Sequence, residues 1–279
     1  TLSSLYKRCD GWGQRIHELL SEEYSIKIGY STLMRLLNQH GYGNPSNSRC
    51  EQEETKPGLE MQHDTSPYRL CINGVRTNVV ASLLYYRYSK QRYLKFYPNF
   101  RRFEMKSFFY EALMHYQYAA PVCVIDNTNL ARLRGTGKQA VFVPEMIALA
   151  RDFGFSWLAH EKGHCNRKAG EERSFWTVET NFFPGREFKS WDDLNRQAFE
   201  WATQIMAVRP QTKARIVPNI FFEHEKPLLT PVSAFVREPF LSHDRGIDQY
   251  GYVAVDGNFY WVPGKGRGEV KVHQYRDRI

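Results

Sequence analysis

The first forty residues carry hydrophobic positions at the 3.6-residue spacing of short amphipathic helices. This spacing predicts helices over 3–9, 14–20 and 32–40, the last with leucines repeating on one face. Ser31 is the predicted N-cap of the third helix, because its hydroxyl can accept a hydrogen bond from the first turn. Gly41 is predicted to stop the same helix.

The second and third of these helices, joined by a short turn, are arranged as in a helix-turn-helix DNA-binding domain. The third carries Arg35, Asn38 and Gln39, side chains of the types that bind phosphates and base edges. A small helical bundle with a solvated polar face has the same pattern. Both interpretations therefore stay open at this point.

From residue 59 the pattern changes to strand-like segments that alternate with helical ones. Strands are predicted over 59–70, 78–88, 92–97, 122–125 and 155–158, and helices over 103–117, 144–153 and 167–182. The second and third strands are expected to pair as neighbours. This order predicts a mixed sheet flanked by helices, as in a ribonuclease-H-like core.

Beyond residue 184 an amphipathic helix and then further strands are predicted. The helix covers 191–206 and has Ser190 as its predicted N-cap. Asp256-Gly257 lies between the predicted strands 252–255 and 258–261, which is a strong hairpin signal. We expect this last part of the chain to form a small all-β barrel.

These changes of pattern divide the chain into five predicted parts. They are a helix-turn-helix domain over 1–44, a linker over 45–58, a catalytic core over 59–183, a helix and connector over 184–231, and a β-barrel over 232–279.

Composition agrees with a folded multidomain protein. The 279 residues allow two or three domains, and 18 Phe, 17 Tyr and 6 Trp can bury a large core. No apolar run is long enough for a transmembrane helix, and no basic-then-apolar leader is visible. The five scattered cysteines, without CxxC spacing, indicate reduced thiols in a cytoplasmic protein. Because the first residue is Thr1 and not Met, we expect the natural chain to begin earlier.

Positive charge is concentrated in the middle of the chain. There are 38 Lys and Arg against 30 Asp and Glu, a net charge of +8. Segment 58–182 has 17 basic and 11 acidic residues and so accounts for +6 of that charge. Such an excess indicates a polyanionic partner, because Lys and Arg neutralise phosphates.

Three carboxylates lie where such a core would bring side chains together. Asp64 is in a strand-like segment, Asp126 directly follows an apolar strand, and Glu172 is near the start of a helix. A charge at a buried strand end is costly unless it is paired or binds a metal. Together these acids could hold two Mg²⁺ ions about 3.5–4 Å apart, as phosphodiester transfer requires. With 30 acidic residues in the chain, spacing alone does not single out this triad.

Two basic segments are candidates for contacts with DNA. Segment 160–164 matches HExxH, the zinc-protease signature, which requires both histidines on one face of a helix. It follows a strand-like stretch and contains a glycine, which favours a loop in which Lys162 and the histidines contact DNA instead. Arg132, Arg134 and Lys138 closely follow the second acid, although isolated arginine pairs are usually solvated.

Several motifs of the chain resemble the IstA transposases, bacterial insertion-sequence enzymes of the DDE transposase and retroviral-integrase superfamily. They are Glu172-Arg173-Ser174, Asn181-Phe182, Pro184-Gly185-Arg186-Glu187-Phe188 and Asp193-Leu194-Asn195. Asp126-Asn127 resembles the second-acid motif of the family, and Asp64 falls where its first acid belongs. The order of the predicted domains also matches, so the resemblance covers nearly the whole chain. Thr65-Ser66 departs from it, because Trp-Gly usually follows the first acid.

The resemblance bears on the choice of the third acid. On a helical wheel Glu171 points nearer than Glu172 to the centre of the apolar stripe. The family motif, similar to Lys-Val-Glu-Arg, aligns its catalytic acid with Glu172, which is therefore preferred, and Glu171 is the alternative. Lys168, one turn earlier on the same side, would suit a DNA phosphate.

The resemblance implies a DNA transposase in which Asp64, Asp126 and Glu172 bind Mg²⁺, for which Mn²⁺ can substitute. It implies cleavage at the 3′ ends of the transposon and strand transfer into target DNA, with the terminal inverted repeats bound by the helix-turn-helix and the barrel. The implied partners are double-stranded DNA, further copies of the chain and an AAA+ ATPase helper similar to IstB, with no membrane.

The expected location is the prokaryotic cytoplasm, in association with the nucleoid. The alternative function is that of a catalytically inactive DNA-binding regulator or architectural protein. The departure at Thr65-Ser66 keeps this alternative open.

Overall fold

The computed structural model describes residues 2–42, 56–126, 128–160, 175–211, 215–264 and 266–279. None of the helices in these ranges has the length and the apolar character needed to cross a membrane.

Three helices form the N-terminal part: α1 (Leu2–Arg8), α2 (Gly13–Tyr24) and α3 (Tyr30–Gln39). Their apolar faces meet in a small core, as the helical spacing of the sequence predicts. The buried side chains of this core are Leu5, Cys9, Ile16, Leu19, Leu20, Leu33 and Leu37.

The two predicted N-caps have different outcomes. Ser190 caps its helix as predicted, with its hydroxyl accepting a hydrogen bond from Asp193 N at 3.1 Å. The prediction for Ser31 is wrong, because α3 begins at Tyr30 and Gly29 takes the N-cap position without a side-chain hydrogen bond. The extended backbone of Gly29 starts the helix two residues earlier than predicted, which places Ser31 inside the first turn.

A five-stranded mixed sheet forms the centre of the protein. Its strands are β1 (Glu60–Ile72), β2 (Val75–Tyr86), β3 (Arg92–Tyr97), β4 (Val122–Ile125) and β5 (Ser156–Ala159). They lie in the order β3-β2-β1-β4-β5. The first three pair antiparallel, whereas β4 joins β1 and β5 joins β4 in parallel. The predicted mixed sheet and the predicted pairing of β2 with β3 are confirmed.

The larger hydrophobic core lies on one face of the sheet, under α4 (Arg102–Tyr116), α5 (Pro144–Asp152) and α7 (Pro218–Glu225). The start of α4 is fixed by Glu104, which accepts a hydrogen bond from Arg101 N at 2.8 Å. Buried residues of this core include Met61, Tyr86, Phe108, Phe109, Ile125, Trp157 and Phe222.

A second hydrophobic core covers the opposite face of the sheet. It is formed by helical residues 175–177, the π-helical turn Val178–Phe182, α6 (Trp191–Glu200), the π-helical turn Trp201–Ile205 and the helical turn Met206–Val208. Because α6 packs on β3, helices cover both faces of the sheet, as predicted. Buried residues here include Leu83, Phe96, Val178, Phe182, Leu194 and Trp201.

Short elements complete the core. Tyr118–Ala119 pairs with Thr230–Pro231, and Lys226–Leu228 forms a 3₁₀ turn after α7. Arg132–Arg134 pairs with Val141–Phe142 in a hairpin that follows β4, which we call the β4 hairpin (residues 132–142).

The C-terminal strands form two separate two-stranded sheets. β6 (Leu241–Gly246) pairs with β9 (Glu269–Gln274), and β7 (Tyr252–Val255) pairs with β8 (Asn258–Trp261). The predicted hairpin at Asp256-Gly257 is confirmed, and both residues have the positive φ of a type I′ turn, 48° and 79°. The predicted closed barrel is not formed within 215–264 and 266–279. The apolar side chains buried here are only three valines, which cover too little surface to close a barrel.

The N-terminal helices contact the central sheet region through α2. Asn181 Nδ2 donates a hydrogen bond to Glu18 Oε1 at 3.0 Å, and the rings of Trp12 and Trp176 meet edge to face at 5.4 Å. Both contacts fall on residues 176–181, the helical stretch of the second hydrophobic core.

Candidate active site

The two predicted aspartates are neighbours on adjacent strands. In the parallel pair of β1 and β4, His63 lies opposite Ile125, so Asp64 and Asp126 are the next residues along the two strands. Neighbouring strands of a sheet are about 4.8 Å apart. The fold therefore brings the first two predicted acids side by side at the carboxyl end of β4.

Side-chain alternation places both carboxylates on the same face of the sheet. Met61 and Ile125 belong to the larger core, so Asp64 and Asp126, an odd number of residues further on, point to the opposite face. The partner of Asp64 on β2 is Leu83, which belongs to the core of that opposite face. Two like charges are thus held close together, an arrangement that a bound cation stabilises.

Local hydrogen bonds shape the backbone at each aspartate. Asp64 is half-buried, and its Oδ1 accepts a hydrogen bond from Thr65 N at 2.7 Å. Asp126 is exposed, and its carbonyl oxygen accepts one from Thr128 N at 2.7 Å. Thr65 and Ser66 continue β1 and pair with Ser82 and Ala81, so Asp64 lies within the sheet.

His63, the residue before the first acid, fixes β1 from the other face of the sheet. Its ring is buried among Phe100, Phe108 and Phe109, and its Nε2 is 2.8 Å from Ser82 Oγ. Burial lowers the pKa of the His63 imidazole to about 3, so the ring is neutral at physiological pH. Sequence analysis did not identify this anchor.

Tyr68, four residues after Asp64 on the same face, connects β1 to the helical stretch of the second core. Its hydroxyl donates a hydrogen bond to Glu179 Oε1 at 3.0 Å, and its ring contacts Phe175 and Phe183. Burial raises the pKa of the Tyr68 phenol above its ordinary value, so the hydroxyl keeps its proton. Sequence analysis missed this residue too, because its partner is 111 positions away.

The third acid lies outside the described residues. This holds for Glu172, for the alternative Glu171, and for the predicted DNA contacts Lys162 and Lys168, all within 161–174. The described part of this region begins at Phe175, three residues after Glu172, where the ring of Phe175 contacts Tyr68.

The chemistry of the described acids suits a divalent cation. Carboxylate oxygens are the hard ligands that Mg²⁺ prefers. No three His, Cys, Asp or Glu side chains among the described residues form a group that could hold a metal ion. A metal ion held by Asp64 and Asp126 would have to complete its coordination with water, with substrate or with side chains outside those residues.

The predicted basic residues after the second acid are on the β4 hairpin. Arg134 and Lys138 are exposed, and Arg132 Nη1 donates a hydrogen bond to Gly135 O at 2.6 Å. Gly137 N donates to Ala159 O at 3.1 Å, so the tip of this hairpin lies against β5. The hairpin thus follows Asp126 along the chain, and its tip lies against the edge strand of the sheet.

The first histidine of the HExxH segment follows a strand and not a helix. His160 comes directly after β5, and its backbone N donates a hydrogen bond to Ile125 O at 3.0 Å. The remaining residues of the motif, 161–164, lie outside the described residues. A zinc-protease site needs this histidine on a helix, so the geometry at His160 does not fit one.

The predicted DNA-contacting residues of the N-terminal part are accessible. Arg35, Asn38 and Gln39 are exposed on α3, while Leu33 and Leu37 face the small helical core. These three polar side chains belong to the N-terminal helices and not to the group around Asp64 and Asp126.

Comparisons with known proteins identify insertion-sequence transposases as relatives. No family model matches the chain. It is 23% identical over 216 residues to the transposase for insertion sequence element IS21 of Pseudomonas aeruginosa, covering 77% of this chain and 55% of that protein. It is 22% identical over 172 residues to the transposase for IS640 of Shigella sonnei, covering 61% and 55%. The chain thus spans about half the length of the curated relatives it matches.

Solved structures of retroviral integrases are similar as well. The chain aligns with the simian T-cell lymphotropic virus intasome in complex with PP2A regulatory subunit B56 gamma at a TM-score of 0.47 and 12% identity, covering 96% of this chain and 88% of that one. It aligns with the catalytic core domain of BIV integrase at a TM-score of 0.43 and 10% identity, covering 60% and 96%.

Proposed function

We propose that this chain, a relative of the IS21 transposases, is a DNA transposase. It binds the terminal inverted repeats of its element, cleaves the 3′ ends and transfers them into target DNA. The observation that carries the proposal is the placement of Asp64 and Asp126, which occupy matching positions on adjacent parallel strands and share one face. The identity to two insertion-sequence transposases supports the same reaction.

Asp64, Asp126 and Glu172 are the proposed metal ligands, with Glu171 as the alternative for the third. Bound by these carboxylates, Mg²⁺ or Mn²⁺ would supply neutralisation of the phosphate charge and would favour the deprotonated form of the attacking hydroxyl. The two aspartates lie on a sheet that is packed on both faces. The distance between them is therefore set by the hydrogen-bonded pairing of β1 with β4. Preorganised charge of this kind costs no rearrangement during the reaction.

The role of the third acid is proposed from the ring contact between Phe175, three residues after Glu172, and Tyr68 on β1. Phe175 follows Glu172 by three residues and contacts Tyr68, which lies four residues after Asp64 on β1. The Tyr68–Glu179 hydrogen bond holds the same helical stretch against this strand. These contacts support a role for Glu172 close to the two aspartates.

DNA binding is proposed for three groups of side chains. Arg35, Asn38 and Gln39 on α3 would read the terminal repeats, as the exposed face of a second helix does in helix-turn-helix proteins. The other groups would bind DNA phosphates near the acids. They are Arg132, Arg134 and Lys138 on the β4 hairpin and Lys162 and Lys168 beyond β5.

The proposed assembly is a homo-oligomer that pairs two transposon ends. A helper ATPase of the AAA+ class, similar to IstB, would select the target DNA. The proposed location is the bacterial cytoplasm, in contact with the nucleoid.

Strand transfer by the full-length protein tests this function. The substrate is a labelled end taken from the DNA that flanks its own coding sequence, with Mg²⁺ and a plasmid target. We expect Asp64→Asn, Asp126→Asn and Glu172→Gln each to lower product formation about 100-fold or more. Asp152→Asn, at the exposed end of α5, is the matched control and should retain activity, while Glu171→Gln distinguishes the two candidates for the third ligand.

Each outcome of this assay has a defined meaning. Wild-type amounts of product from Asp126→Asn would contradict the proposed mechanism. Loss of activity in Glu171→Gln but not in Glu172→Gln would show that the third ligand is Glu171 and not Glu172. A wild-type protein that binds the end but forms no product would favour the inactive regulator.

A further inference from the structure

Glu18 on α2 is the centre of a polar network that joins the N-terminal helices to the second hydrophobic core. Within α2 its carboxylate forms an ion pair with Arg15 at 2.9 Å. Across the boundary it accepts a hydrogen bond from Asn181 Nδ2 at 3.0 Å and forms an ion pair with Arg209 at 2.5 Å. Arg15 and Asn181 are only 3% and 4% exposed, so water is largely excluded from this network. Hydrogen bonds in such surroundings are strong and favour one relative orientation of the two parts.

Asn181 connects this network to the interior of the second core. Its Oδ1 accepts hydrogen bonds from Trp201 Nε1 at 2.8 Å and from Arg209 Nη1 at 3.1 Å, while its Nδ2 donates to Glu18. Trp201 is fully buried. If the N-terminal helices moved away, buried polar atoms of Asn181 would lose their partner, which is costly.

Close packing at Gly185 joins the same two parts at a second point. The carbonyl oxygen of Gly185 accepts a hydrogen bond from Arg8 Nη2 at 2.9 Å. Gly185 has a φ of +72°, and a Cβ atom there would lie 2.9 Å from Leu19 Cδ1 and 3.5 Å from Cys9 Sγ. Leu19 and Cys9 are buried members of the N-terminal core. The backbone of Gly185 therefore packs directly against that core, in a place where only glycine fits.

The residues on the core side of this interface come from two of the motifs that resemble the transposase family. Asn181 opens the Asn181-Phe182 motif, and Pro184-Gly185 opens the next one. Pro184 O accepts a hydrogen bond from Arg15 Nε at 3.3 Å, beside the contact of Gly185. The proposed metal chemistry uses none of these residues. In this structure they form the surface on which the N-terminal helices dock.

The interface lies on the same side of the sheet as the two aspartates. Trp201 and Leu83 belong to the second core, and Asp64, which pairs with Leu83, and Asp126 point to that face. Parts of one chain that meet through a small polar interface usually move relative to each other. The buried network around Glu18 and the packing at Gly185 resist such movement.

We propose that the N-terminal helices stay docked on the second core while α3 binds DNA, so that a bound transposon end is held at a fixed position relative to Asp64 and Asp126. Glu18 is the positioning residue of this arrangement, because it contacts both sides of the interface. The inference rests on the proposed function for the DNA that α3 binds. It adds that recognition and chemistry belong to one rigid unit, which the transposase assignment does not require.

The reactivity of Cys9 in the full-length protein tests the docking without any need for catalysis. Cys9 is 0% exposed and lies against Gly185, so iodoacetamide reaches it only when the local structure opens. Exposed Cys71 and Cys123, buried in the larger core, are internal references that peptide mass spectrometry distinguishes from Cys9. We expect Glu18→Ala to raise the labelling rate of Cys9 about 10-fold or more and to leave that of Cys123 unchanged.

Two further variants locate the effect at the interface. Arg209→Ala should also raise the labelling rate of Cys9, by about threefold or more, because it removes a partner of Glu18 from the core side. Glu22→Ala is the matched control, since Glu22 is exposed on the same helix, and it should label as wild type does. Equal labelling of Cys9 in Glu18→Ala and Glu22→Ala would overturn the inference.

Addition of a labelled transposon end tests whether the docked arrangement persists on DNA. We expect Cys9 of the wild-type protein to stay protected, and faster labelling on DNA would overturn the inference. Glu18→Ala should bind the end within about threefold of wild type but transfer it about 10-fold more slowly, because α3 is unchanged and only its position is lost. Normal transfer by Glu18→Ala with a reactive Cys9 would also overturn it. A wild-type protein that keeps Cys9 protected on DNA but forms no product contradicts the proposed function alone.

Discussion

Aromatic residues are mostly buried in the central sheet region and mostly exposed on the C-terminal strands. In the core, Trp201 and Phe108 are fully buried on either face of the sheet. In the C-terminal part, Phe259 and Trp261 are 70% and 63% exposed, and the buried side chains are three valines. One region therefore buries its aromatic surface within its own fold, and the other presents it to solvent.

This difference separates the region that must be rigid from the region that is available for contacts. Asp64 and Asp126 are positioned by a sheet with a hydrophobic core on each face, so packing resists any change in their spacing. On β7 and β8, Tyr252, Phe259 and Trp261 occupy one face by strand register and meet no core. Exposed apolar groups of this kind mark interaction surfaces.

The largest effect on stability is expected from Trp201→Ala. Trp201 is fully buried, and its Nε1 donates a hydrogen bond to Asn181 Oδ1 at 2.8 Å. Truncation should lower the free energy of unfolding by about 3–5 kcal/mol, measured by urea denaturation. A loss below about 1 kcal/mol would contradict the packing described for the second core.

Val255→Ala is expected to have a smaller and local effect. Val255 is 1% exposed in the valine core, and the removal of two buried carbon atoms should cost about 1.5 kcal/mol. Hydrogen exchange should accelerate at the amides of β6 to β9, while those of β1 and β4 keep their protection. Faster exchange in β1 and β4 would mean that the two regions unfold together.

Tyr68→Phe removes one hydroxyl and should cost about 1 kcal/mol. A double-mutant cycle with Glu179→Ala, which removes the acceptor, should give a coupling energy of similar size, because the two side chains form one hydrogen bond. We also expect strand transfer by Tyr68→Phe to need about tenfold more Mg²⁺ for half-maximal rate. Unchanged Mg²⁺ dependence would show that this hydrogen bond supports the fold without positioning the third acid.

Trp261→Ala should have the smallest effect on stability, within about 0.5 kcal/mol, because the ring is mostly exposed. The same variant should weaken binding to DNA or to a second copy of the chain if the aromatic face is an interface. Destabilisation comparable to Trp201→Ala would show that the C-terminal aromatic residues are covered in the folded protein.

Local patterns in the sequence predicted the elements of the core well. The bounds of β3 and β4 are as predicted, since β4 is a continuous apolar run and β3 is rich in aromatic residues, and each lies between clear breaks. Asp256-Gly257 identified its hairpin because a type I′ turn depends only on the two residues in it. By contrast, the start of α3 was misplaced, because Gly29 was not considered as a cap.

Non-local contacts were not predictable from the sequence. Whether the C-terminal strands close into a barrel depends on how much apolar surface they share, and the predicted barrel was wrong for that reason. The match of Asp64 with Asp126 depends on the register between β1 and β4, strands separated by loops and helices.

Metal-directed cleavage of the polypeptide tests the central claim most directly, namely that Asp64 and Asp126 share one metal site with Glu172. Fe²⁺ bound in place of Mg²⁺, treated with ascorbate and hydrogen peroxide, cuts the backbone near its ligands. We predict fragments that end close to residues 64, 126 and 172, all lost in Asp126→Asn. Cuts at other positions, or cuts near 64 and 126 that persist in Asp126→Asn, would contradict the shared site.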